Sequence, residues 1–216
     1  MPSPSEDPSP RRTRRSPGDL RQQILEAAGE LFLRDGYANT SLDAVIERVG
    51  GSKRAIYSHF GGKDDLLAAI LTGISEEVLR TLPDAGEASG DDVRASLTQF
   101  AGAVMRALMD PRTVALYRLV VAEGVRRPDL AAMFLRTGPR RATTGLAELL
   151  ARHARAGSLT IANPTATAEH FIGMLRDDIY LEVLLGVRAP LTERAWKPRV
   201  KRAVDIFLDG TATRVR

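Results

Sequence analysis

The chain contains no cysteine among its 216 residues. That excludes a disulfide framework and any thiolate metal site. It suits a reducing compartment. Histidine is nearly absent as well, with three copies in all. His59, His153 and His170 stand far apart, and no HExxH-type spacing joins them to carboxylates. We expect no metal and no bound cofactor. Aromatic residues make up 5%. Long apolar runs are missing too: none approaches the roughly 20 residues that span a bilayer. The first ten residues lack the apolar segment of a secretory signal. These absences point to a cytoplasmic protein with no membrane contact. There is no GxGxxG, no P-loop and no GxSxG elbow, so no enzymatic chemistry is expected.

What is present is ordinary in amount and informative in pattern. Hydrophobic residues account for 44% and the net charge is +4. The excess of basic residues leans towards a polyanionic partner, and its distribution says more than its sum. Arg11, Arg12, Arg14 and Arg15 cluster in a Pro- and Ser-rich start. They are either a minor-groove arm or a solvated tail. Almost everywhere else the apolar residues recur at spacings of three and four, the helical period, and no stretch alternates as a strand does. We therefore expect an all-α protein of about nine helices.

The first helix starts near Asp19, buries Leu20, Ile24, Ala27, Ala28, Leu31 and Phe32, and stops at Gly36. Thr40 is placed as N-cap of the second helix, with Asp43 completing a capping box. Leu42, Val45, Ile46 and Val49 form its inner face, and Gly50-Gly51 ends it. Ser52 opens a short third helix through His59. Asp64 and Asp65 favour the start of a fourth. Pro83–Gly90 breaks the rhythm and marks a junction. Asp110-Pro111 and Asn163-Pro164 each read as an N-cap followed by proline at the first helical position. The second of these is expected to open one helix running to Gly186, and Thr192 to open the last.

Helices two and three are short and joined by a glycine turn, the helix-turn-helix layout. In the third, Ile56 and Phe60 are four apart and can face a core. Lys53, Arg54, Tyr57, Ser58 and His59 are left facing out. Such a helix fits a major groove about 12 Å wide.

The stretch TSLDAVIERVGGSKRAIYSHFGGKDDLL resembles the N-terminal signature of the TetR family of transcriptional repressors, in Thr40, Gly50, Ser52-Lys53, the Ile56-Tyr57-x-His59-Phe60 run, and Lys63 before Leu66. Arg118-Leu119-Val120, Pro128-Asp129-Leu130 and Gly138-Pro139 resemble the C-terminal domain of the AefR-like subgroup. The resemblance implies a three-helix DNA-binding head (18–63), a connecting helix (64–82) and a helical ligand-binding and dimerisation body (83–216), after an arm at 1–17. It implies a homodimer through the last two long helices, about Pro164–Gly186 and Thr192–Asp209. It also implies a double-stranded DNA operator and an apolar or amphipathic small-molecule effector.

Carried over residue by residue, Thr40, Ser41, Tyr57, His59 and Lys63 would bond phosphates. Lys53 and Arg54 would reach base edges, Ala55 would meet a thymine methyl, and Ser52 and Ser58 complete the DNA-facing group. Two positions depart from the family pattern. Gly51 replaces a small apolar residue, and Arg54 replaces glycine or alanine. In the body, Phe100, Met105, Tyr117, Arg118, Phe134, Phe171, Met174 and Tyr180 are candidate pocket residues, against the plainer alternative that they are core. Arg176-Asp177-Asp178 interrupt an apolar run, either as interface salt bridges or as groups that orient a ligand. A helical adaptor that binds protein through the head is the rival reading.

Overall fold

The structure is a computed structural model, and it describes residues 17–83 and 92–211. The Arg11–Arg15 cluster and most of the Pro83–Gly90 junction lie outside them. Eleven α-helices and no extended strand are found among the described residues. They are α1 (Pro17–Asp35), α2 (Leu42–Val49), α3 (Lys53–Phe60), α4 (Lys63–Leu79), α5 (Val93–Met109), α6 (Pro111–Gly124), α7 (Pro128–Thr137), α8 (Pro139–Arg155), α9 (Pro164–Leu175), α10 (Asp178–Leu185) and α11 (Glu193–Thr211). No described helix is long and apolar enough to cross a membrane.

The side chains form two apolar cores. One gathers α5, α8, α9, α10 and α11 around Leu97, Phe100, Leu146, Phe171, Val183 and Trp196. The other joins α1 to α4 and also takes in Leu116, Leu119, Val120 and Phe134 of α6 and α7. Head and body therefore share a core: α6 and α7 are packed as much against α1 and α4 as against their own neighbours. Helix α5 lies deepest, with ten buried residues that wrap round its circumference.

The cap of α2 differs from the sequence-based expectation. Ser41, not Thr40, caps α2, its hydroxyl accepting from the Ala44 N–H at 3.1 Å. Thr40 is 4% exposed. Its hydroxyl instead donates back into the α1–α2 turn, to the carbonyl of Gly36 at 2.9 Å. Gly51 stands at φ +145°, and an added Cβ would meet nothing within 4 Å. The conformation requires glycine there, not a shortage of room.

The expected helix from Pro164 to Gly186 is two helices. After α9 the chain leaves helical geometry at Arg176, and Asp177 becomes the N-cap of α10, accepting from the Ile179 N–H at 3.1 Å. A carboxylate beside free amide N–H groups stabilises a new start, so the charges interrupt the helix by re-initiating it. The caps at Asp110 and Asn163 form as the cap-then-proline signal predicts, accepting from Thr113 N at 2.8 Å and Ala166 N at 3.1 Å.

Candidate nucleic-acid interface and effector cavity

Helix α3 is held by two side chains. Ile56 is fully buried and Phe60 is 8% exposed. Their burial is worth about 2 kcal/mol each and fixes the rotation of an eight-residue helix that has little stability of its own. Everything on the opposite side is thereby aimed at solvent. Lys53, Arg54, Tyr57 and Ser58 are exposed, with Tyr57 at 54%. A tyrosine ring left that open on a short helix is spare for an outside partner. Ser52 precedes the helix without capping it, so neither its hydroxyl nor the first-turn N–H groups are spent on each other.

Ala55 and His59 are half-buried at the edges of this face, and the His59 ring tilts against Phe60 at 6.2 Å. The Ser58 hydroxyl donates to Ala55 O at 2.9 Å. Ser41 sits exposed at the start of α2. Lys53 reaches back to Asp43 of α2, 2.8 Å away, and this carboxylate raises the lysine pKa.

Two of the predicted DNA-binding residues are turned inward. Thr40 is buried as described. Lys63 donates to the Tyr37 carbonyl at 2.5 Å and lies 4.2 Å from the centre of the Tyr37 ring. Burial, and then the Arg127 charge, hold its pKa below the ordinary lysine range. Both side chains shape the head from within.

Lys63 belongs to a joint between head and body that sequence reasoning did not find. The Tyr37 ring has two cations close to it, the Lys63 ammonium and, 4.3 Å from its centre, the Arg127 guanidinium. The Tyr37 hydroxyl donates to Asp64, and Arg127 donates to the same Asp64 oxygen at 2.9 Å. Arg127 also pairs with Glu123, whose side chain is 9% exposed. The hydrogen bond from Tyr37, then that from Arg127, lowers the Asp64 pKa. The partners come from three separate stretches of chain, around Tyr37, Lys63-Asp64 and Glu123–Arg127, so no local spacing announces the joint.

Further along α4, a narrow cavity of about 60 Å³ opens between α4, α5, α6, α7 and α8. Its walls are largely apolar and include Ile74, Val78, Leu108, Tyr117 and Phe134. Of the predicted pocket residues, Tyr117 and Phe134 line it, their rings edge-on at 5.1 Å. The others do not. Phe100 and Phe171 are packed in the body core, because on α5 and α9 they face α11. Met105 and Met174 border an open groove against α11 instead. Tyr180 is buried behind Tyr117, with ring centres 6.0 Å apart. Arg118 is spent on the end of α10, donating to the carbonyls of Val183 at 2.6 Å and Leu184 at 2.8 Å. The Val183 carbonyl also accepts from the Gly186 N–H at 3.1 Å, so Arg118 adds a second donor at this helix end. Sequence reading missed Ser75 and Thr113, two cavity-lining hydroxyls with no hydrogen-bond partner among the described residues.

Comparison with known proteins bears on both regions. A family model described as bacterial regulatory proteins, tetR family, matches residues 24–70, and one described as AefR-like transcriptional repressor, C-terminal domain, matches residues 95–210. The HTH-type transcriptional regulator LmrA of Bacillus subtilis is 38% identical over 34% of this chain and 40% of its own length. SrpR of Pseudomonas putida, also an HTH-type transcriptional regulator, is 27% identical over 53% and 52%. The chain thus matches about half or less of these relatives' lengths. Among solved structures, the flavonoid-responsive regulator FrrA superposes with a TM-score of 0.78 at 28% identity, covering 92% of this chain and 100% of FrrA. A TetR transcriptional regulator from Agrobacterium tumefaciens superposes with a TM-score of 0.77 at 27% identity, covering 90% and 94%.

Proposed function

The chain belongs to the tetR family of bacterial regulatory proteins, and from that premise we propose that it is a dimeric, DNA-binding transcriptional repressor of the cytoplasm whose hold on its operator is released by a small amphipathic molecule. One observation carries the DNA-binding part. Ile56 and Phe60 pin α3 so that Lys53, Arg54 and Tyr57 face solvent as a group. Arg54 and Lys53 read base edges, and Ala55 sits against a thymine methyl. Tyr57, Ser41, Ser52, Ser58 and His59 hold phosphates and set the register. Two such helices in a dimer meet half-sites one helical turn apart or a multiple of it.

Release follows from α4. Its first residues are tied to Tyr37 and Arg127, and its second half forms one wall of the cavity. The free space suits only a few waters. A larger molecule has to part the walls, and α4 is the wall that carries the head. The ligand thus favours a head position that no longer fits DNA, and its differential affinity for the two positions sets how far the population moves. FrrA, by its name, responds to flavonoids, which fits a cavity of mixed aromatic and hydroxyl character.

A mobility-shift assay on the DNA upstream of the gene is the test. Arg54→Ala with Tyr57→Ala should weaken binding by about tenfold or more. Wild-type binding should fall steeply as salt rises, as phosphate neutralisation requires. Equal binding by wild type and double variant would overturn the assignment. Binding that ignores salt would favour a protein-binding adaptor.

A further inference from the structure

Among the described residues, the cavity described above has a single charged side chain, Arg176, at its border, and no Asp or Glu lines it. Arg176 is exposed and lies at the break between α9 and α10. Among the described residues it has no ion-pair partner. The adjacent carboxylate, Asp177, is already engaged, one oxygen capping α10 and the other on Arg199 of α11. Among the described residues, the Arg176 side chain donates to the Tyr117 hydroxyl alone, at 3.1 Å. That hydroxyl accepts from Arg176 and so keeps its own proton to give. A guanidinium N–H and a phenol O–H thus sit together at the border of an apolar space, both donors. Within the cavity, Ser75 and Thr113 are 4% and 5% exposed, and their hydroxyls are unpartnered. Buried hydroxyls are normally bonded, so two facing one space mark a place for an oxygen function.

We propose that the effector is a small organic anion: an aromatic or alicyclic body that fills the apolar cavity, with a carboxylate received by Arg176 and Tyr117 and a further oxygen offered to Ser75 and Thr113. This rests on the reading that the cavity is the effector site, and adds the sign of charge the site selects. A carboxylate meets the guanidinium in a charge-assisted, potentially two-pronged bond. An amide of the same shape loses that charge, and an amine reverses it.

The test uses three probes of one shape, 3-phenylpropanoate, 3-phenylpropanamide and 3-phenylpropylamine, titrated calorimetrically into the full-length protein. The acid should bind about tenfold tighter than the amide, and the amine more weakly than either. In Arg176→Met the acid and the amide should fall within about twofold of each other, while Arg176→Lys should retain part of the preference. Equal binding of acid and amide to wild type, a preference that survives in Arg176→Met, or failure of all three to bind would each overturn the proposal. Operator release measured in parallel separates the two claims. An acid that binds selectively and leaves the DNA complex intact sinks the release mechanism and upholds the anion site. An amide that binds and releases as well as the acid does the reverse.

Discussion

Ser75 and Thr113 are cavity-lining residues whose buried hydroxyls have no protein partner among the described residues. A buried hydroxyl without a partner costs about 1–3 kcal/mol relative to one that is bonded. Ser75→Ala should therefore stabilise the free protein, by about 1 kcal/mol in urea unfolding, and weaken the binding of an oxygen-bearing effector. A loss of stability would mean the hydroxyl is bonded after all. Nothing in the sequence distinguishes these two from any Ser or Thr on an amphipathic helix, since the cavity that exposes the vacancy is assembled from five helices. The outward face of α3 was legible for the opposite reason. Ile56 and Phe60, four apart on one short helix, state which side is inward, and the remaining side follows. Thr40 and Lys63 escaped that logic because both lie at helix borders, where a turn decides the direction. The Thr40 hydroxyl went to a carbonyl and the Lys63 ammonium to an aromatic ring.

At the scale of elements, α4 bears two attachments, the Tyr37–Asp64–Arg127 joint and the cavity wall. The joint has a pH signature. The folded-state pKa of Asp64 is depressed, so its contribution is complete above the unfolded value of about 3.9 and is lost as pH falls through the folded value. Melting curves of wild type and Asp64→Asn should therefore be separated by a constant interval near neutral pH, with an interval that closes as the solution is acidified below about pH 4. A gap unchanged to pH 3 would deny the carboxylate its role. Arg127→Met should cut the ligand's effect on DNA affinity more than it cuts affinity itself, as read from operator binding with and without effector. Equal effects on both would assign Arg127 to stability alone. Helix existence was readable from period and caps, with Asp110-Pro111 and Asn163-Pro164 as plain signals. The break at Arg176 was not, because Asp177 reads as an interruption of an apolar face until its oxygen is seen on the Ile179 N–H. That break accounts for one of the two helices by which the eleven described exceed the nine or so expected.

For the whole molecule, the exposed apolar residues decide what assembly is feasible. Leu181 and Leu185 of α10 are 54% and 70% exposed, and Ile206 of α11 is 55% exposed. They lie within the two stretches that the family resemblance assigns to dimerisation, and burial against a second copy would remove them from water. Leu185→Glu with Ile206→Glu should sediment as a monomer where wild type sediments as a dimer, and should lose operator binding with it. A double variant that stays dimeric places the interface elsewhere. The Lys53–Asp43 pair then matters to how the dimer finds its site. Lys53 is held on the Asp43 carboxylate, so reaching a base edge would mean exchanging that carboxylate for a base acceptor, and the lysine would add little to the ionic-strength dependence. On DNA of the wrong sequence the exchange returns little and the lysine stays at home. Under the proposed roles, only where bases also answered Arg54 and Ala55 would letting go of Asp43 bring a net gain, so the pair would shorten the protein's stay on DNA of the wrong sequence.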